Sequence, residues 1–273
     1  MRRLRLLPRD GLEEEAYELR IHKEIELLAA WNGDFSWLLG DVPGFFHVFR
    51  LFFLDFLAFF ANVPRFSQPF NTSEASGRLG FLRGVSSLQQ LLGLAWTEGW
   101  AHLPGQRILD TPRFQHRGLM LDVSRHYFPV DFLKRLLDWM FLYKLNVFHW
   151  HLTDDEAWRL ELQAFPNLTA FGAWRGVHGA VEPQLGGAYG RYGGAYSRQE
   201  VKDVVRYAAQ RGIQVLPEID VPGHCYALLK AMPDLKAPGE TRSVQNFKGN
   251  VLDVRKESTY RFLERVFEEA GAS

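Results

Sequence analysis

Apolar and polar positions along the chain alternate first with period two and later with a mixture of period two and near 3.6. Residues 16–30 place Tyr17, Leu19 and Ile21 on one face and Glu18, Arg20 and His22 on the other, which predicts a half-buried strand. Asn32-Gly33-Asp34 then marks a turn. Val85, Leu88, Leu91, Leu92 and Ala95 recur at helical spacing and predict a helix over 84–96, with Ser86 or Ser87 as its cap. Residues 104–116, with Pro104, Gly105 and Pro112, read as a linker, and a domain boundary is expected near Arg113.

Beyond Arg117 the pattern becomes regular. Residues 118–123 (GLMLDV), 146–152 (NVFHWHL) and 213–219 (IQVLPEI) read as strands. Residues 130–144 read as an amphipathic helix with Pro129 at its start. A long Gly-rich loop is expected after the second strand. Residues 197–212 read as a helix with Ser197 as N-cap, Glu200 three residues on and Gly212 as its stop, the capping-box arrangement. A last helix is expected over about 256–270. The repeated strand–helix order implies parallel strands joined by crossover helices.

One stretch breaks the pattern. Residues 43–63 hold eight of the chain's 22 phenylalanines and approach the length of a membrane span. Arg50 and Asp55 lie near its middle, and each would cost roughly 2.5–3.5 kcal/mol at a bilayer centre. Their i,i+5 spacing is poor geometry for pairing, so a buried or partner-covered helix is expected instead of a span. A further reading makes 32–82 an insertion foreign to the fold. Lys and Arg number 32 and so do Asp and Glu, which leaves no basic excess for nucleic acid. A single cysteine, Cys225, excludes an intrachain disulfide framework and a multi-cysteine zinc site. The basic start (Arg2, Arg3, Arg5, Arg9) lacks the apolar stretch of ~7–15 residues that an export signal needs, so none is expected in the chain.

Candidate chemistry gathers at the carboxyl ends of the three later strands: Arg125 and His126, then His149, His151, Asp154 and Asp155, then Glu218, Asp220 and His224. In a β/α barrel that rim carries the active site. His149 and His151 are two apart on a strand and share a face. With Asp220 and His224 they could ligate a metal, or they could make structural hydrogen bonds. If Asp154 and Asp155 stay extended, one enters the site and the other caps, pairs with an arginine such as Arg159, or faces solvent. Arg125 offers a planar donor fork to hydroxyls or carboxylates, or pairs with Asp122 or Asp154. Asp220 and His224 flank a Pro222-Gly223 turn that can re-aim His224. Cys225 has no dedicated base partner beyond His224 and reads as a buried spectator. Trp150, Trp158, Trp174, Tyr189 and Tyr192 could stack on sugars, though most aromatics are core. Asn71-Thr72-Ser73 and Asn167-Leu168-Thr169 match glycosylation sequons.

Four linked segments carry a resemblance: RFQHRGLMLDVSRHYFP (113–129), KLNVFHWHLTDDEAWRLE (144–161), YGGAYSRQEVKDVVRYAAQRG (192–212) and IQVLPEIDVPGHCYAL (213–228). In this order they resemble β-N-acetylhexosaminidases of glycoside hydrolase family 20. The resemblance covers about 113–273, and more loosely 16–30 and 83–112. It implies an α/β fold: about three β/α units of a TIM (β/α)8 barrel in 113–273, preceded by remnants of a small α+β domain in 1–112. The Phe-rich insertion at about 32–82 interrupts that domain.

The resemblance further implies substrate-assisted retaining hydrolysis, in which the 2-acetamido oxygen attacks the anomeric carbon. Carried over by motif, Arg125 binds hydroxyls of the terminal sugar, and Asp154 and His224 form a relay toward the general acid. His151 and Asp220 line the same pocket. No metal and no cofactor is implied. The expected partners are β-linked N-acetylglucosamine or N-acetylgalactosamine glycans or chitooligosaccharides, with no nucleic acid and no membrane. The family's His-x-Gly-Gly-Asp-Glu motif, which supplies the acetamide-orienting Asp and the general-acid Glu, does not occur in the 273 residues. The chain alone is therefore expected to be inactive. Two other readings compete: a degenerate homologue that binds amino sugars without cleaving them, and an interaction or membrane protein built around 43–63.

Overall fold

The structure, a computed structural model, describes residues 17–21, 25–26, 73–75, 78–97, 102–103, 106–176, 181–182, 190–239 and 242–271. These divide into two compact units. The first runs to His116 and takes in Phe141–Lys144; the second holds Arg117–Met140 and the described residues from Leu145 onward. The turn at Asn32–Asp34, the stretch 43–63 and Asn71 and Thr72 of the first sequon lie outside the described residues.

In the first unit, β1 (Tyr17–Ile21), β2 (Ile25–Glu26), β3 (Ser73–Ala75), α1 (Arg78–Thr97), β4 (His102–Leu103) and β5 (Gln106–Asp110) follow in order. The expected first strand forms as β1 and lies between β3 and β5, antiparallel to both. The linker reading of 104–116 is corrected, because Gln106–Asp110 pairs with β1 from Tyr17↔Asp110 to Ile21↔Gln106. Gly105 and Pro112 flank this five-residue strand in the sequence, and such breakers mark the borders of a short strand as readily as a linker. Helix α1 starts at Arg78, six residues before the expected start at 84. Gly80 and Gly84, each costing a helix about 1 kcal/mol relative to alanine, hid the first turns. Ser86 and Ser87 lie inside the helix and are buried, so neither caps it.

The second unit contains β6 (Gly118–Asp122), α2 (Val130–Leu142), β7 (Val147–Asp154), β8 (Ala157–Trp158), α3 (Asn167–Gly172), β9 (Trp174–Arg175), β10 (Tyr192–Gly193), α4 (Arg198–Gln210), β11 (Gln214–Ile219), α5 (Tyr226–Ala231) and α6 (Glu257–Gly271). β7 pairs in parallel with β6 on one side and β11 on the other, as the strand–helix order requires. Among the described residues no helix is long and apolar enough to cross a membrane.

Strand register decides which residues meet. Met120, His149 and Leu216 lie side by side across β6, β7 and β11, and two residues on so do Asp122, His151 and Glu218. Side chains alternate between faces, so both rows share one face. On the other face Phe148 and Trp150 are fully buried. The core also contains Leu133, Leu137 and Met140 of α2, and Val204 and Ala208 of α4. The capping box at the start of α4 forms: the Ser197 hydroxyl accepts from the Glu200 N–H, and the Glu200 carboxylate accepts from the Ser197 N–H at 2.8 Å. Gly212 ends the turn with φ of 65°, which a glycine adopts freely.

The expected long loop after β7 is more ordered than that reading. It contains β8, α3, β9 and β10, with β9 and β10 pairing antiparallel. Arg159 organises them. Its buried guanidinium donates to the backbone carbonyls of Val123 (2.8 Å), Ser124 (2.8 Å), Ala173 (2.6 Å) and Gly194 (2.9 Å). The expectation that a spare aspartate pairs with Arg159 is thereby corrected. Burial lowers its pKa from 12.5 to about 10, so it remains a cation at neutral pH.

Candidate active site

β7 runs past its expected end to Asp154 and then turns at Asp155 and Glu156 into β8. The turn breaks the two-residue alternation. Asp154, Asp155 and Glu156 are all buried; of the pair, Asp155 takes the expected capping role, at the start of α5, and neither faces solvent. The Ser124 hydroxyl holds this hairpin to the end of β6 by donating to the Ala157 carbonyl (2.8 Å) and accepting from its N–H (3.1 Å).

Arg125 stands over three carboxylates. Its Nη1 reaches Asp122 at 2.8 Å, its Nη2 reaches Asp154 at 2.8 Å and its Nε reaches Glu156 at 2.9 Å. Burial works against its charge, but these partners outweigh it and raise its pKa above the ordinary arginine value. A guanidinium has five N–H donors, so two remain for other acceptors.

Asp154 is the junction. Its Oδ2 accepts from Arg125 and from His151 Nε2 at 2.8 Å; its Oδ1 accepts from the Asp155 N–H at 2.7 Å and from His224 Nδ1 at 3.0 Å. Burial alone would raise this carboxyl, but its four donors hold it below the usual range. Asp155 instead accepts from the Tyr226 N–H (3.0 Å) at the start of α5 and from Asn250 Nδ2 (3.0 Å), with His224 Nδ1 at 3.5 Å. Burial pushes its pKa up, as it does for Glu156.

His224 adopts φ of 54°, a left-handed conformation that costs a non-glycine residue roughly 1–2 kcal/mol. That backbone delivers its ring to Asp154 while leaving 38% of the side chain exposed. Asp220 is half-buried, and its N–H donates to the Thr153 hydroxyl at 3.0 Å. Burial raises its carboxyl pKa.

His151 is 5% exposed, with Nε2 on Asp154 and Nδ1 on Glu218 at 2.7 Å. Both of its ring nitrogens thus face carboxylates. His149, on the same face as expected, places Nε2 at 2.5 Å from the same Glu218 oxygen. Ligand atoms of His151, Asp154 and Asp220, and of Asp154, Asp155 and His224, lie within 4.8 Å of one another.

Arg125, Asp154 and His224 thus come together as expected, with Asp220 beside them. Glu218, named among the strand-end candidates, joins them, and Glu156 and Asn250 join unpredicted. Glu218 carried a signal, since it lies opposite His151 by strand register; Glu156 and Asn250 lie in a turn and an aperiodic segment, where no pattern marks them. Trp150 and Trp158 are buried and offer no face to a ligand. The Trp174 ring is covered by the Arg191 guanidinium at 3.9 Å. The Tyr192 hydroxyl accepts from the Tyr127 N–H at 2.8 Å, and Tyr189 lies outside the described residues. Cys225 is buried, and burial pushes its thiol pKa up, which suits a spectator.

A parallel sheet whose strand ends converge on an Arg–Asp–His junction with a buried aspartate at its centre defines an α/β protein with a charged rim site. The description "Glycosyl hydrolase family 20, catalytic domain" matches residues 114–272, and the chain belongs to that family. It is 46% identical over 224 residues to a beta-hexosaminidase of Vibrio furnissii, covering 80% of this chain and 36% of that protein. A beta-hexosaminidase of Porphyromonas gingivalis is 41% identical over 172 residues, covering 62% of this chain and 21% of that one. The chain therefore spans about a third or less of these relatives. The solved exo beta-N-acetylglucosaminidase of Vibrio harveyi, in complex with N-acetylglucosamine, superposes with a TM-score of 0.67 at 42% identity, covering 73% of this chain and 32% of that one. The family 20 enzyme of Streptomyces coelicolor gives a TM-score of 0.62 at 37% identity, covering 74% and 40%.

Proposed function

We propose that this chain carries the sugar-recognition and relay half of a β-N-acetylhexosaminidase that removes terminal N-acetylhexosamine from glycans or chitooligosaccharides. In this reading 113–273 supplies three β/α units of a (β/α)8 barrel and 1–112 belongs to a small preceding α+β domain. The observation that carries the reading is Asp154, which gives one oxygen to Arg125 and the other to His224. Arg125, fixed by three carboxylates, directs its two remaining donors to hydroxyls of the terminal sugar. Asp154 accepts from His224 Nδ1 and so leaves Nε2 to exchange a proton with the general acid.

Hydrolysis begins when the substrate's 2-acetamido oxygen bonds to the anomeric carbon as the glycosidic bond breaks, and the leaving oxygen takes a proton. That proton and the orientation of the acetamide come from the Asp-Glu pair of a Gly-Gly-Asp-Glu motif, which the 273 residues do not contain. General acid catalysis is worth ~10²–10⁴-fold, so the chain alone binds without turning over. The test is calorimetric titration of the purified chain with N-acetylglucosamine, alongside hydrolysis of a chromogenic N-acetyl-β-glucosaminide. Binding that Arg125→Met abolishes, without turnover, is expected. Absence of binding would overturn the recognition role, and turnover would overturn the inactivity.

A further inference from the structure

The network does not stop at the Asp154–His224 pair. From Asp154 it runs through His151 to Glu218 on β11 and on to His149: Asp154 Oδ2 to His151 Nε2 at 2.8 Å, His151 Nδ1 to Glu218 Oε2 at 2.7 Å, and Glu218 Oε2 to His149 Nε2 at 2.5 Å. We propose that Glu218 and His151 are positioning residues, which hold Asp154 as an anion with Oδ1 left to His224 and the Asp155 N–H and thereby fix the proton of His224 on Nδ1. This rests on the relay reading and extends it to two further residues.

A carboxylate only accepts, and both nitrogens of His151 face carboxylate oxygens. A neutral ring would set a nitrogen lone pair against an oxygen lone pair at hydrogen-bond distance. Both nitrogens must therefore donate, and His151 is an imidazolium. The charged groups around it agree. Asp122 faces it from β6, Asp154 from its own strand, and Glu218 and Asp220 from β11 and the loop that follows. Burial opposes the charge, but the hydrogen bonds to Asp154 and Glu218 prevail and lift its pKa from 6.5 to about 9. With His151 and Arg125 on Oδ2, the second oxygen of Asp154 is turned to His224, and its lone pair accepts the Nδ1 proton.

Histidine ring 15N spectra of the labelled 273-residue chain, recorded without sugar, test this. The expected result is a His151 ring protonated on both nitrogens through pH 8, and a His224 ring carrying a proton on Nδ1, the nitrogen that faces Asp154. In Glu218→Gln, proton affinity at His151 falls by about tenfold or more, because one carboxylate partner is gone. His149→Asn, which leaves the Glu218–His151 contact in place, keeps His151 doubly protonated at pH 7. A neutral His151 at pH 7 in the unmodified chain, or His224 protonated on Nε2 alone, overturns the proposal without any variant. An unchanged His151 titration in Glu218→Gln overturns the role of Glu218. No sugar and no turnover enter these spectra, so their failure is distinct from a failure to bind N-acetylglucosamine.

Discussion

At the scale of single residues, His151 ties the site to the stability of the chain. Its pKa is about 9 when folded against an ordinary 6.5. A base whose pKa rises on folding stabilises fully below its unfolded value, and that contribution is lost as pH rises through the folded one. The window is therefore about pH 6.5 to 9, and the difference corresponds to on the order of 3 kcal/mol. Urea unfolding from pH 6 to 10 is expected to show the midpoint falling across that window. His151→Gln, with no titrating ring, is expected to remove this fall even though it starts less stable. The carboxyls of Asp155, Glu156 and Asp220 also have raised pKa values and act in the same direction, each contributing stability that is lost as pH rises, but in a window that opens at the ordinary carboxylate values, below that of His151. Comparison with the variant separates the two. Much of this site was legible in the residues: Arg125, Asp154 and His224 stand in recognisable segments at strand ends. What escaped was Glu156, because a turn residue has no period and its burial arises only when β8 folds back on β7.

Among the elements, the connection between β7 and α4 departs furthest from the pattern read along the chain. Glycine richness reads as a loop, yet Arg159 gathers four carbonyls from separated segments around one cation. Long-range backbone partners leave no periodic trace. Gly193, in β10, is one consequence: its φ is 144°, and a Cβ there would lie 2.0 Å from the Ala173 carbonyl that Arg159 binds. Gly193→Ala is expected to destabilise by ~1–3 kcal/mol or more, through overpacking and backbone strain together. Arg159→Met removes a donor from all four carbonyls, of which Ala173 keeps the Gly194 N–H, and is expected to cost at least as much, since each unsatisfied buried group costs about 1–3 kcal/mol. Urea midpoints check both. Local signals, in contrast, predicted α4 to within a residue at its start. Ser197→Ala there is expected to cost only about 1 kcal/mol, the ordinary value of an N-cap.

For the molecule as a whole, the same sheet face holds two kinds of row. Asp122, His151 and Glu218 neutralise one another in part, whereas Met120 and Leu216 flank His149 with 54% and 47% of their surfaces exposed. Leu119, on the opposite face of β6, is 37% exposed. Strand order was readable from the strand–helix repeat, but exposure was not, because an apolar strand residue reads the same whether or not anything covers it. Exposed apolar side chains on a sheet favour association between chains, and charge does little to oppose it when the formal net charge is zero. The purified chain is therefore expected to self-associate with rising concentration in sedimentation velocity. The double substitution Met120→Ser and Leu216→Ser is expected to reduce that association by removing apolar surface from the sheet. It should shift the urea midpoint little, because the side chains it shortens are about half exposed in the folded chain and contribute correspondingly less to the core. A sedimentation profile that the substitutions leave unchanged would place the association elsewhere on the chain.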